Sequence, residues 1–544
     1  MKRFIVLSIL FLFVINTHGQ NLFGLKEITK ENKEEAMKAI SNIPKFSLKA
    51  SYKTNGALPA YVDNSKNKYF PPIVSQISNS CGCASIVHYI YTYEMNRFLD
   101  RASNSNANIA NYMYIWNFLN EGLDYGTFPW DVADAIKYYG FLPNSMYTTN
   151  SSTEWPYGYD KYYKSMNYSI SALEKFNSED ANDLLNMKRY LYNHGDGSQY
   201  GGLIQFSGFA HPLNASRYNR SSYTGYNAII PYFGYQGMHS MTIVGYDDSI
   251  WYDYNGNRRA ESDEFGAFIC VNSWGTNWGD NGRFYAPYMT FSKRLRQGMG
   301  GTGNGGKDCF IIKPMVKQPQ LVFKILMSHT SRNDLSIGIG AYDDGHENNP
   351  VFTKNLYEYN HMGGDHPLRG IYGSEKEKLE VAIDVSELAN YDVNNYYIEL
   401  KNYRKGRLGD GHFYYASLLD YRNDPMNPVE YVAKIDNTNL TGTGKCRAVI
   451  SKVMKLGDGV KLDVDYIVVD KDFMLVLRSI EKSYFKMDLL SETGEKVYTI
   501  IDQDVEKGYT QKKFNFKKRG IEKGTYFLRT SSNGKIEYSK IKID

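Results

Sequence analysis

The 544-residue chain has few cysteines, and the five it carries (Cys81, Cys83, Cys270, Cys309 and Cys446) are an odd number spread over hundreds of positions. A disulfide scaffold is therefore not expected, and at least one thiol stays free. The chain also lacks charge of one sign: 63 Lys+Arg against 59 Asp+Glu leave a formal net charge of +4. So small an excess gives no global electrostatic footprint for nucleic acid or an anionic membrane. After the N-terminus there is no long apolar run, so no later segment is expected to span a bilayer as a helix.

What is present is an excess of aromatics, with 48 tyrosines, and 47 glycines. With short alternating runs this leans towards a β-rich protein that works outside the cell. The length exceeds what one hydrophobic core serves and suggests roughly three or four domains. MKRFIVLSILFLFVINTHGQ opens with Lys2 and Arg3, continues through the apolar Phe4–Ile15 and ends in small and polar residues near Gly19. This pattern predicts a cleaved signal peptide over 1–19, because a retained anchor needs about 20 apolar residues. The expected location is secreted or at the cell surface.

Residues 20–57 are polar, with an amphipathic stretch near Glu27–Ile40, and suggest an N-terminal tail or short pro-segment. Globular patterning starts at Leu58. Ala84, Val87, Tyr91, Met95 and Phe98 recur at spacings of three and four, predicting one apolar stripe on a helix that begins at the Cys81/Cys83 pair. Further helices are expected at Pro129–Tyr139 and Asp180–Tyr192, and strands at Gly202–Phe206, Ser240–Tyr246, Ala267–Asn272 and Gly282–Ala286. The glycine-rich GMGGTGNGG (298–306) reads as a loop or linker. From Gln318 short strands alternate with Asp/Gly/Asn turns, the pattern of a β-sandwich. The expected organisation is α+β: a first domain over 58–314, a β-sandwich over 318–455 and a β-rich unit over 461–544.

A catalytic thiol needs a lowered pKa, a base that shuttles its proton, and donors for the oxyanion formed on attack. A helix starting at Cys81 supplies partial positive charge and free backbone N–H groups. His239, in GMHSMTIVGYDD, stands at the entry to an apolar strand that would hold a base rigidly. Asn272, ending ICVN before SWGTNWGDNG, could accept from the imidazole N–H while Trp274 shields that bond. Gln76, five residues before Cys81, offers an amide NH2 as second oxyanion donor.

These residues resemble the papain-like cysteine peptidases. LPAYVDNSKNKYFPPIVSQ (58–76) is similar to the start of the mature domain, SCGCAS to the nucleophile motif, YGTFPWDVADAIKYYG (125–140) to the cleft-lining segment, HSMTIVGYDD to the His strand and VNSWGTNWGDNG to the Asn motif. The resemblance covers about Leu58–Ser292. It implies a two-lobed fold with Cys81 as nucleophile, His239 as base and acid, Asn272 as orienter and Gln76 as oxyanion donor. It also implies that Thr127, Phe128, Pro129 and Trp274 bind substrate, which is protein or peptide. Ser80 and Ser85 around Cys81 match the family spacing, which favours Cys81 over Cys83 and makes Cys83 a packing residue. Two departures stand out: the Gln76–Cys81 interval is one residue shorter than the family's, and Gly82 stands where an aromatic is usual.

The C-terminal unit, through MDLLSETGEKVYTI (487–500) and IEKGTYFLRTSSNGKIEYSKIKID (521–544), resembles the sorting domain of the type IX secretion system, which implies that machinery as a partner. The plain alternative is an adhesive β-sandwich. No cofactor and no metal are expected. The Cys81/Cys83 pair lacks a second ligand pair, and the cluster of His361, Asp365 and His366 near YDDGHE (342–347) reads as a solvated loop. The functional expectation is a secreted cysteine endopeptidase, with an aminopeptidase or transpeptidase as variants of the same thiol chemistry. The rival is a catalytically inactive papain-like binding module.

Overall fold

The computed structural model describes residues 25–26, 28–48, 57–121, 124–147, 155–211, 228–234, 236–291, 307–356, 364–370, 377–402, 409–451, 462–469, 472–479, 481–532 and 535–543. The expected signal peptide 1–19, the glycine-rich 298–306 and His361 lie outside them. The fold is α+β, with β-sandwiches following the first unit, as the sequence predicts.

The first unit has a helical lobe and a sheet lobe. Its central helix runs over 81–98, wound as α at Cys81–Cys83, as π at Ala84–Tyr91 and as α again at Thr92–Phe98. Residues 81–96 are buried on every side, and Phe98 is 56% exposed rather than part of the expected stripe. The wider π winding shifts the angular register along the helix, so a spacing of three and four no longer marks one face. Two helices escape the periodicity argument. Tyr112–Leu119 (YMYIWNFL) is buried throughout and so has no polar face to reveal its period. Its start is nonetheless fixed locally, because the Asn111 side chain accepts from the N–H groups of Met113 and Tyr114. Tyr159–Met166 is the other. Pro129–Tyr139 forms as expected, with Pro129 in its first turn, and Phe118 stacks on Tyr139 at 3.8 Å.

The sheet lobe is a seven-stranded antiparallel sheet. Its strands are β1 (Tyr61–Asp63), β2 (Tyr168–Asn177), β3 (Ile204–His211), β4 (Gln236–Trp251), β5 (Phe265–Val271), β6 (Arg283–Pro287) and β7 (Asp308–Val316). The order is β2-β7-β3-β4-β5-β6, with β1 added on β4. β7, which lies beyond the glycine-rich stretch, pairs with β2 along its length and with β3 at Gln205–Phe310, so the chain returns to the first sheet before leaving it. Phe206, Met241, Ile243, Phe268, Cys270, Phe284 and Cys309 form the core under this sheet. The amphipathic stretch expected near Glu27–Ile40 appears as a helix at Lys33–Asn42.

Two five-stranded antiparallel sheets over 321–451 make the middle sandwich, and a three-stranded and a four-stranded sheet over 462–543 make the last unit, with its own core around Phe473, Leu475, Phe485, Met487 and Leu528. The middle sandwich is joined to the first unit by the Gly158 N–H donating to Glu380 O (3.0 Å) and by Tyr163 stacked on Tyr421 at 4.4 Å.

Candidate active site

The turn before Cys81 is stitched to the segment after Asn272. Gln76 N–H donates to Ser273 O (2.7 Å), Gly275 N–H to Val74 O (3.0 Å), and Ser75 pairs with Trp274. The shortened interval from Gln76 is accommodated by a tight bend in which Ser78 takes φ 54 and Ser80 Oγ donates to Ile77 O (2.6 Å). The helix starts at once, with Ala84 N–H on Ser80 O (2.9 Å). Cys81 is its first residue and is fully buried, packed with Leu25, Met238 and Phe209. Cys83 instead belongs to the core of the helical lobe. Burial pushes its thiol well above the usual cysteine range, and the charge of Cys81 adds to this.

Gly82 stands where an aromatic is usual. A Cβ here would overlap the Thr127 hydroxyl and touch Leu25. A larger residue at 82 therefore requires the Thr127 side chain to shift.

His239 lies in β4 opposite Gly208, fully buried. Asn272, just past β5, is fixed on both sides: its N–H donates to Gly282 O (2.9 Å) and its carbonyl accepts from Tyr89 OH (2.9 Å). Asn272 Oδ1 accepts from Ser273 N–H (2.7 Å), which settles which end of the amide is oxygen. The same oxygen lies 2.7 Å from His239 Nε2, so Nε2 is the protonated nitrogen of the neutral ring. Nδ1 then carries the lone pair, and it has no hydrogen-bond partner among the described residues. Burial lowers the His239 pKa to about 4, against the opposing pull of the Asn272 bond, so the ring is neutral near pH 7. Trp274 covers it, ring to ring at 4.8 Å.

Gln76 is buried, its Oε1 accepting from Ser273 Oγ (2.5 Å) and its Nε2 donating to Ser78 O (2.8 Å). The Ser78 carbonyl uses one of the two amide hydrogens. Thr127 is buried against Gly82, Phe128 stacks on Trp130 at 4.6 Å, and Pro129 opens its helix. Gln76, Asn272, His239 and Trp274 are thus linked through Ser273 and ring contact, Cys81 packs against Met238 beside His239, and Thr127 packs on Gly82, while Phe128 and Pro129 make their contacts within their own helix start. No group of three or more His, Cys, Asp or Glu able to hold a metal occurs among the described residues.

No protein-family profile matches the chain, and no curated protein matches it. Solved structures do match. The likeness is to cysteine proteases. Xylellain, a cysteine protease from Xylella fastidiosa, is 18% identical over 54% of this chain and 96% of its own, with a TM-score of 0.36. Procathepsin B S9 from Trypanosoma congolense is 15% identical over 54% of this chain and 87% of its own, at 0.34. The bromelain protease from Ananas comosus, solved in complex with the E64 inhibitor, is 12% identical over 48% of this chain and all (100%) of its own, at 0.31.

Three participants were not legible in the sequence. Ser273, which orients Gln76, is visible only once the two segments are paired. Leu25 is one of several apolar residues (Leu22, Phe23, Ile28) near the start of the N-terminal stretch, and nothing in that spacing singles it out, yet it sits on Cys81, its N–H donating to Met238 O (3.2 Å). Lys26 N–H donates to Thr127 O (3.1 Å), and its ammonium pairs with Glu121 (2.7 Å). The N-terminal stretch therefore occupies the seam beside Cys81 and Thr127, and no periodicity announces that.

Proposed function

We propose that the chain is a secreted cysteine peptidase acting through Cys81, His239, Asn272 and Gln76. The observation that carries this reading is the His239–Asn272 pair, whose hydrogen bonds hold a neutral, buried imidazole with its Nδ1 lone pair uncommitted, next to Met238, on which Cys81 packs.

In the proposed reaction His239 Nδ1 takes the Cys81 proton and the thiolate adds to the peptide carbonyl carbon. The oxyanion accepts from the Cys81 N–H and from the remaining Gln76 N–H. The imidazolium, steadied by Asn272, gives its proton to the leaving amine as the C–N bond breaks, and a thioester remains. His239 then deprotonates a water that attacks the thioester, releasing the acid and restoring the thiol. Cys83 takes no part, since it packs into the core of the helical lobe, whereas Cys81 packs against Leu25, Met238 and Phe209.

The test is peptide hydrolysis by Cys81→Ala and Cys83→Ala. Loss of turnover in the first with retention in the second supports the assignment; the reverse pattern sinks it. For the unit over 461–544 we infer a sorting role in export by the type IX secretion machinery, supported by its separate seven-stranded build and independent core. Deleting it should leave the chain in the periplasm, and undiminished export without it would remove that role.

A further inference from the structure

The occupant of the seam reports what the seam accepts. Leu25 places an aliphatic side chain against Cys81, Met238 and Phe209, and the next residue places a cation on the helical-lobe rim. That rim is acidic. Glu121 takes the Lys26 ammonium at 2.7 Å, and Asp131 lies near enough to feel the same charge. Asp124 is nearby but already engaged, accepting from Asn79 N–H (3.1 Å). Glu121 is the rim carboxylate paired with the occupant, and its side chain stays 40% exposed while paired.

Glu121 is also held in an unusual way. Its backbone takes φ 58, a left-handed value a glutamate seldom adopts. Gly364, in the middle sandwich, lies so close that a Cβ there would overlap the Glu121 carbonyl oxygen. Gly364 has φ 72, and its own carbonyl accepts from Asn333 N–H (3.2 Å). The second unit thus buttresses a residue at the mouth of the first unit's seam.

We propose that Glu121 is a specificity residue that reads a basic side chain next to an aliphatic one in the peptide accepted by the seam, with Leu25–Lys26 as its resident mimic and the Gly364 loop as its support. The proposal rests on the peptidase reading for its substrate class. The ion pair is about a third exposed, so the charge discriminates by roughly 1.5-fold to fivefold rather than absolutely.

The experiment uses the full chain carrying Leu25→Asp, which removes the plug, and the same chain with Glu121→Lys added. Matched fluorogenic peptides pair leucine with lysine or with glutamate, in both orders, and kcat/KM is compared. In parallel, fluorescein-labelled peptides of residues 25–42, with Lys26 kept or changed to glutamate, are bound and followed by anisotropy, which needs no catalysis. The expected result is a preference of that size for the lysine peptides that reverses in Glu121→Lys. Gly364→Ala, which keeps every charge, should weaken the preference without reversing it, with circular dichroism confirming the fold. A preference unmoved by Glu121→Lys overturns the role of Glu121, and one unmoved by Gly364→Ala overturns the buttress. Charge-dependent binding without turnover in any folded variant overturns the peptidase reading and leaves the role of Glu121 standing.

Discussion

Asn272→Ala removes one oxygen that serves two buried donors, His239 Nε2–H and Ser273 N–H, each at 2.7 Å. Leaving a buried donor unsatisfied costs about 1–3 kcal/mol, so the folded state should lose about 2–6 kcal/mol. The effect on turnover comes from a different moment. When the ring takes the thiol proton it becomes a cation, and a hydrogen bond to a charged group contributes about 1.5–3 kcal/mol. Losing it in the transition state should lower kcat/KM by about tenfold to 150-fold. Asn272→Asp separates the two effects, because a carboxylate accepts both bonds and restores most of the stability. It also stabilises the imidazolium and should raise the His239 pKa from about 4 by about one to three pH units. The acid limb of kcat/KM then moves to higher pH by that interval. Urea unfolding with pH–rate profiles for the three proteins decides the matter. If Asn272→Ala loses stability yet keeps kcat/KM within about twofold, and the acid limb of Asn272→Asp does not move, Asn272 is a structural residue and the reasoning fails.

Other outcomes follow from the same geometry. His88 and His239 are both buried with pKa lowered from 6.5 to about 4. Above pH 6.5 neither state takes the proton; as pH falls from 6.5 towards 4 only the unfolded state does, so stability should drop by about 3 kcal/mol per histidine and level off below pH 4, measurable as urea midpoint against pH. Cys83→Ala should cost about 1–2 kcal/mol in urea unfolding with little change in KM, because the thiol fills core space and touches no substrate. Gly140→Ala should be worse, at about 2–4 kcal/mol, since position 140 has φ 65 and a Cβ would overlap the Ser165 carbonyl. Met474→Asp puts a charge into the small apolar contact of Leu326, Tyr415, Val432 and Val476 between the last two units, and limited proteolysis should then release the C-terminal unit faster.

Local chemistry was legible and distant pairing was not. VNSWGTNWGDNG marks a turn with glycines where the backbone needs them: Gly275, Gly279 and Gly282 have φ 79, 59 and 83. The apolar strand carrying His239 and the helix start at Cys81 follow from patterning within a dozen residues. The return of Asp308–Val316 to the first sheet depends on pairing with Tyr168–Asn177 and Gln205, across more than one hundred positions, which no local period encodes. Tyr112–Leu119 escaped because a helix buried all round shows no amphipathic period, and Phe98 was misplaced because the π winding shifts the register the spacing assumes. Gly82 stood out in the sequence as a departure; the Thr127 side chain packed against it became visible only in three dimensions.

The central claim is that Cys81 is a nucleophile served by His239. Its most direct test is mass-spectrometric mapping of the adduct left by an irreversible thiol-directed epoxide on the full chain opened by Leu25→Asp. The account predicts one adduct, on Cys81, whose rate of formation collapses in His239→Ala while Cys83 stays unmodified. An adduct on Cys83, or labelling of Cys81 that His239→Ala leaves unchanged, would contradict it.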